Sequence, residues 1–203
     1  AKIKAHTHLL ADSAGSQCMN CHMPMTAYGL LKATRSHQIE IPDVSTSLAT
    51  GRPNACNQCH LDKTLDWASE NLHKWYGVPK PKLSKEEETI AASVLWTLKG
   101  DAGQRALMAW SLGWEPARAV SDSGWIAPYL AQLLEDPYDA VRFIAYRSLR
   151  KLPGFGDFQY DYVESPQRRA QAHLNALEIW RRSGQKNRSV GGSAVLFDAQ
   201  GNL

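Results

Sequence analysis

All four cysteines of the 203-residue chain fall in two pentapeptides, Cys18-Met-Asn-Cys21-His22 and Cys56-Asn-Gln-Cys59-His60. Cys-x-x-Cys-His is the attachment signature of c-type haem. The spacing has a mechanical reason. Two thiols three positions apart each form a thioether to a vinyl group on the same haem edge, and the histidine that follows is carried under the iron as proximal ligand. Two matches that use every cysteine leave none for a disulfide and imply two covalently bound haem c groups. Two plainer chemistries fit less well. One zinc ion held by both pairs has to bridge the 34 residues between them, wider than the usual ribbon, and gives no reason for a histidine after each pair. A Cys-x-x-Cys disulfide is usually a redox device and needs a strand–helix setting.

The sixth ligand decides what such an iron does. A second histidine gives a low-potential electron carrier, methionine raises the potential, and an open position admits a substrate. Outside the pentapeptides the histidines are His6, His8, His37, His73 and His173. His37 is the first choice, because it lies between the two motifs on a stretch that must wrap both haems. His8 is the second, ten residues before the first motif, with His6 as its competitor in the same short segment. A strand there puts both on one side. His73 lies off the apolar stripe of its helix and His173 is far along the chain. Met23 and Met25 follow His22 too closely to reach across and read as packing, and Met108 falls in a helical core stripe. The count favours two bis-histidine irons.

The elements that must position these residues divide the chain in three. Residues 1–79 read as a loop-rich dihaem module. Turn signals recur at 12–16, 42–43 and 50–54, and the aliphatic residues are too few to make a core without two porphyrins. A helix is expected after His60, with Leu61, Leu65, Ala68, Leu72 and Trp75 at helical spacing and Gly77 and Pro79 as its stop. Residues 78–83 are a stiff, proline-containing linker. Residues 80–183 read as helical pairs. Ser84 and Glu87 form a capping box before a stripe of Ala91, Val94, Leu95 and Leu98. Ile126, Tyr129, Leu130, Leu133 and Leu134 form a second stripe, and Val141, Ile144, Ala145, Ser148, Leu149 and Leu152 a third, with a tight corner at Asp136-Pro137. A last helix over 166–182 turns Ala170, Leu174, Leu177 and Trp180 inward. Residues 104–112 align with 141–149 at an offset of 37, matching Arg, Ser and Leu in place. Residues 184–203 are a polar, Gly-rich tail or strap, with a small hairpin expected near 195–198.

Composition is that of an ordinary soluble protein. The formal charge is +3, but residues 140–190 carry ten Lys or Arg against four Asp or Glu, which suits an acidic partner or a solvated helix face. No nucleic-acid signature is present, and no apolar run approaches a membrane span. Haem of this type is attached outside the cytoplasm, so a periplasmic or extracellular location is expected, with an export signal removed.

Residues 127–142, with Pro128, Asp136 and Val141-Arg142, resemble a HEAT repeat, a pair of antiparallel helices; the offset of 37 is a little short of the usual ~40. Over residues 6–182 the chain resembles bacterial multihaem c-type cytochromes with a HEAT-like helical domain. The resemblance rests on His6-Thr-His8, Cys21-His22-Met23-Pro24, Tyr28-Gly29, Arg35-Ser-His37, Pro53-Asn-Ala-Cys56-Asn-Gln-Cys59-His60 and Trp75-Tyr76-Gly77. It implies extracytoplasmic electron transfer with His37 and the His-Thr-His segment as distal ligands. Relatives often carry further haem motifs upstream; this chain has none. The fold expected is therefore mainly α, a dihaem cytochrome c module followed by HEAT-like antiparallel helices. The function expected is electron transfer to redox partner proteins, not catalysis, with polymerisation into a filament through neighbouring haems as a variant. The alternatives are a dihaem peroxidase or nitrogen- or sulfur-oxide reductase with one open iron, which needs an acid–base residue beside it, and a HEAT-type partner-binding module.

Overall fold

Capping chemistry sets the short elements of the first sixty residues. The structure, a computed structural model, describes residues 2–29, 32–183 and 194–196. Helix α1 (Lys2–Thr7) has no buried residue. After a 3-10 turn at Ala14–Ser16, the first pentapeptide forms helix α2 (Cys18–His22). An antiparallel hairpin follows, β1 (Met25–Gly29) with β2 (Lys32–Arg35), irregular between Met25 and Ala27. Helix α3 (Val44–Thr50) was read as loop. Its caps are those turn signals: Asp43 accepts from the Ser45 N–H at 2.9 Å, and Gly51 closes it at φ 74°, a left-handed geometry that suits glycine. The second pentapeptide forms helix α4 (Ala55–Cys59), capped by Asn54.

The larger helices follow. Helix α5 (Leu65–Tyr76) starts at a Thr64 cap and stops at Gly77, φ 70°. The expected helix from Ser84 is two, α6 (Lys85–Thr89), with the capping box formed, and α7 (Ala92–Lys99). The break has a cause. Ala91 bridges to Thr64, and the Ala92 N–H donates to the Lys63 carbonyl at 3.0 Å. These bonds re-aim α7, so Trp96 and Thr97 face inward and Leu98 is exposed. Then come α8 (Ala102–Leu112), α9 (Glu115–Ser121), α10 (Ile126–Gln132) with a 3-10 turn Leu133–Glu135, α11 (Asp139–Leu149) and α12 (Pro166–Arg182). The chain is thus mainly α-helical, with one two-stranded sheet among the described residues.

Helices α8 and α11 pack together, as do α10 and α12. The second and third apolar stripes are fully buried. On α12 Trp180 is buried and Leu177 packs against the core as expected, but Leu174 is exposed and Ala176 is buried in its stead. Bonds from Trp180 Nε1 to the Gly124 carbonyl, 2.7 Å, and between His173 and Glu135 fix that rotation. Arg105 and Arg142, equivalent at the offset of 37, both bind the Asp136 corner. Arg105 grips the carboxylate at 2.5 and 3.1 Å, and Arg142 donates to the Asp136 carbonyl at 2.7 Å. Of the tail, residues 194–196 are described, as a turn with Val195 buried and its carbonyl bonded by the Tyr129 hydroxyl. The hairpin expected near 195–198 otherwise lies outside the described residues.

The core is unevenly shared. Among the described residues from 2 to 60, Val44, Pro53 and Ala55 are the only buried apolar side chains, while Ile3, Leu10, Met19, Ile39, Ile41 and Leu48 are exposed. From Leu61 onward the buried apolar residues form two clusters, and both cross the boundary expected at 79. Leu61 packs with Ala91 and Val94, and Leu65, Ala68 and Leu72 share a cluster with Ala92, Trp96, Leu107 and Met108.

Candidate haem-binding sites

Each pentapeptide is held by bonds to its own interior residues. In the first, Asn20 is buried; its amide donates to the Ala14 carbonyl at 2.7 Å and its Oδ1 accepts from Arg35 at 2.6 Å. Arg35 also donates to the carbonyls of Met19 and Met23, at 2.8 and 3.0 Å. One guanidinium at the end of β2 thereby satisfies the open carbonyls at the C-terminal end of α2. Cys18 and Cys21 stand one turn apart, the former exposed and the latter half-buried.

His22 is oriented from behind. Its Nδ1 lies 2.6 Å from the main-chain oxygen of Glu40, and the Glu40 N–H donates to the His22 carbonyl at 2.8 Å. A carbonyl only accepts, so this bond puts the proton on Nδ1 and leaves the Nε2 lone pair for a metal. Glu40 is fixed in turn. Both terminal nitrogens of Arg52 bond its carboxylate, and Ser36 Oγ donates to it at 3.3 Å. The Arg52 bond holds the Glu40 carboxyl below the ordinary carboxylate range, against the opposing effect of desolvation.

The ring of His6 lies 6.0 Å from that of His22, centroid to centroid, with planes 13° apart. Two imidazoles bound to one metal at about 2.0 Å, each with about 1.1 Å from nitrogen to ring centre, have centroids about 6 Å apart. His6 is exposed and is held through its backbone, since the Tyr76 hydroxyl donates to its carbonyl. Thr7 and Ser16 hydroxyls bond at 2.9 Å. His8 goes elsewhere. The segment is a helix and not a strand, and His8, at φ 58°, turns the chain so that its ring stacks on Trp75 at 4.7 Å. Trp75 and Tyr76, the last residues of α5, thus clamp the segment that carries His6.

The second pentapeptide is bolted into the core. Asn57 donates to the carbonyls of Lys63 and Thr64 at 3.0 and 3.2 Å, and Gln58 to those of Met25 and Pro53 at 2.7 and 3.2 Å. Ser121 Oγ donates to the Cys59 carbonyl and accepts from the Leu61 N–H, both at 2.8 Å. His60 is half-buried beside the Trp67 ring, 4.7 Å away. Burial lowers its pKa, Asp62 opposes that, and Lys63 adds to it.

Helices α2 and α4 lie side by side. The thiols of Cys56 and Cys59 are pushed up to about 12, by burial first and then by the charge of nearby Cys21. A reactive dithiol needs the opposite shift, which weighs against thiol redox chemistry. Among the described residues no three His, Cys, Asp or Glu side chains gather as for a metal ion. The residues present fit haem: paired thiols one turn apart, a His22 with Nε2 free, a second imidazole at the right separation, and a segment short of apolar filling.

The other predicted ligands are placed as follows. His37 is exposed on the loop after β2, and among the described residues it is not brought to His60. His73 is exposed with Nδ1 3.0 Å from the Val78 carbonyl, and His173 pairs with Glu135. Met25 packs against the core cluster of α5 and α7. Reading the sequence missed Glu40 and Trp67, whose residue types carry no signal without the fold, and gave Tyr76 no role beyond the resemblance. Asn20, Asn57 and Gln58 did carry one, as amides inside each pentapeptide. Comparisons of the chain with protein families, with curated proteins and with solved structures found no match. No helix among the described residues is long and apolar enough to cross a membrane.

Proposed function

We propose that this chain is an extracytoplasmic c-type cytochrome with two covalently attached haems, and that it transfers electrons and does not catalyse a reaction on a substrate. One observation carries the reading: within the first Cys-x-x-Cys-His motif, His22 has its Nε2 freed by the Glu40 carbonyl and the His6 ring 6.0 Å away and near parallel. Cys18 and Cys21 would hold the first haem and Cys56 and Cys59 the second, with His22 and His60 as proximal ligands. Haem supplies a one-electron couple whose potential the axial ligands set. The chain's residues do the rest. Arg35, Asn20, Asn57 and Gln58 fix the attachment helices, Glu40 fixes a tautomer, and Tyr76 fixes α1. The cysteines of the two motifs are neighbours, which suits rapid exchange between two centres. His6 is the distal ligand this geometry favours for the first iron, with His8 engaged by Trp75. His37 is the remaining candidate for the second iron, from this subunit or from a neighbour in a filament. The packing of α8 on α11 and the Arg105 and Arg142 bonds at the Asp136 corner support a HEAT-like arrangement behind the haems.

The test is direct. Protein matured with haem should show the polypeptide mass plus two porphyrins, and a reduced spectrum insensitive to carbon monoxide. A haem-free protein carrying one zinc would end the reading. One observation favours a second reading: among the described residues the ring beside His60 is that of Trp67, not a histidine. An iron with a single protein ligand binds small molecules, as in a dihaem redox enzyme. If carbon monoxide shifts half of the haem absorbance in wild type, that reading replaces the first.

A further inference from the structure

A cluster of cations lies beside α9, the helix that packs on the second attachment helix. Arg147, Arg150 and Lys151 are exposed at the C-terminal end of α11, three and four positions apart and therefore on one face. Arg118 on α9 joins them, its Nη1 donating to the Lys151 carbonyl at 2.9 Å. Two guanidinium groups are held flat and ready, Arg147 over the Phe143 ring at 5.6 Å and Arg150 over Tyr146 at 5.8 Å. Among the described residues none of the four is ion-paired, and Glu115, one turn before Arg118, does not come within bridging distance. The crowding is felt, since the Lys151 ammonium is pulled below its ordinary pKa by burial and then by Arg147 and Arg118. The cluster's position gives it meaning. Arg118 is one turn, about 5 Å, from Ser121, whose hydroxyl holds the Cys59 carbonyl at 2.8 Å. On the other flank Arg147 is close enough to Tyr28, on the hairpin after the first motif, to influence its phenol.

We propose that Arg118, Arg147, Arg150 and Lys151 form the docking surface for an acidic redox protein, which seats itself behind the second attachment helix. This deepens the electron-transfer reading and rests on it. Carboxylates are the complement that these four clustered cations select, none of them ion-paired among the described residues, and such steering speeds encounter while leaving the interface small and quickly released. The basic residues of α12 do not form such a cluster, because Arg168 and Arg182 are paired with Glu164 and Glu178, and Arg169 and Arg181 stand at opposite ends of the helix.

The experiment uses the haem-loaded chain and a small acidic [2Fe–2S] ferredoxin as probe. Binding is measured by calorimetry, and the rate of reduction by the ferredoxin by stopped flow. Affinity should fall about tenfold or more from about 20 mM to about 200 mM salt. Arg147→Glu with Lys151→Glu should weaken binding and slow reduction about tenfold at low salt, Arg147→Lys should restore most of it, and Arg168→Glu with Arg182→Glu should change neither. Salt-independent binding, or equal loss from both pairs of charge reversals, overturns the proposal. So does tighter binding of a short duplex DNA than of the ferredoxin through Arg147 and Lys151, which makes the patch a nucleic-acid surface. Calorimetry does not need haem, so a haem-free preparation would defeat the function proposed above while the docking surface is still judged by these variants.

Discussion

At the scale of single residues, the chemistry rests on which nitrogen of each imidazole is free and which ring faces which. His6 and His8 are two positions apart, and no spacing rule separates them. What does is the end of α1 and the positive φ of His8, which send one ring to His22 and the other to Trp75. His6→Ala should therefore leave a haem that binds carbon monoxide and has a higher potential, because imidazole is lost as a strong-field ligand. His8→Ala should leave the coordination spectrum as in wild type. A reversal of these two results would reassign the ligand. Glu40 gives a pH dependence with a definite sign. Its carboxyl is held below the ordinary value by Arg52, so the folded state favours the ionised form. The stabilisation is fully present above the unfolded value, about 4.3, and is lost as pH falls through the lower folded value. An acid titration of the haem spectrum should show that loss, as the loop carrying the His22 partner is released, and Glu40→Gln should remove most of the pH dependence in this window while weakening the site at neutral pH. The cysteines, and His22 and His60 beside them, were plain in the sequence. Glu40 was not, because it meets His22 through its backbone, and no spacing rule ties its carboxylate to Arg52.

Among the elements, long amphipathic helices were legible and short capped ones were not. The stripes of α5, α10 and α11 have enough turns for apolar spacing to stand out, and those side chains are buried. Helix α3 has seven residues, Val-Ser-Thr-Ser-Leu-Ala-Thr, of mostly modest helix propensity and too short for a stripe. It exists because Asp43 and Gly51 cap it. The expected face of α12 holds at Leu177 and Trp180 but fails at Leu174, for a different reason. Its alanines at 170, 172 and 176 offer several equally apolar faces, and the choice is made by Trp180 and His173 bonding distant segments. Close packing gives the sharpest test at this scale. A Cβ on Gly113, at the end of α8, would come within 2.4 Å of Ser148 Cβ and 2.8 Å of its Cα on α11. The second contact is with backbone, so no rotamer relieves it. Gly113→Ala should destabilise the helical half by about 1–3 kcal/mol in a urea titration, with haem coordination unchanged at low denaturant. An unaltered midpoint would show that α8 and α11 do not approach as described.

For the whole molecule, the uneven sharing of apolar side chains sets how the two ends depend on each other. Residues 2–60 contribute Val44, Pro53 and Ala55 to the buried apolar set, whereas residues from 61 onward supply nearly all of two core clusters. Scarcity of aliphatic residues made the first half of that statement readable in advance. The second half was not readable, because the proline-containing stretch at 78–83 looks like a boundary, yet α5 packs across it on α7 and α8. Burying Leu61, Leu65 and Leu72 stabilises by roughly 1.5–3 kcal/mol each, enough to keep α5 and the adjoining α4 with the helical body when haem is absent. The second motif should then outlast the first. In haem-free protein, hydrogen exchange should show α1, α2 and the 25–35 hairpin exchanging at rates near those of an unfolded chain, while α5 and α7 to α12 remain protected, and haem incorporation should restore protection to the first group. Thiol labelling adds an independent reading of the same gradient. Burial holds the Cys56 and Cys59 thiols up at about 12, so below pH 9 they stay protonated and label slowly for as long as α4 is folded, while exposed Cys18 labels readily. Uniform labelling of all four cysteines would place α4 on the haem-dependent side of the molecule and move the division of stability from residue 61 to the start of α5.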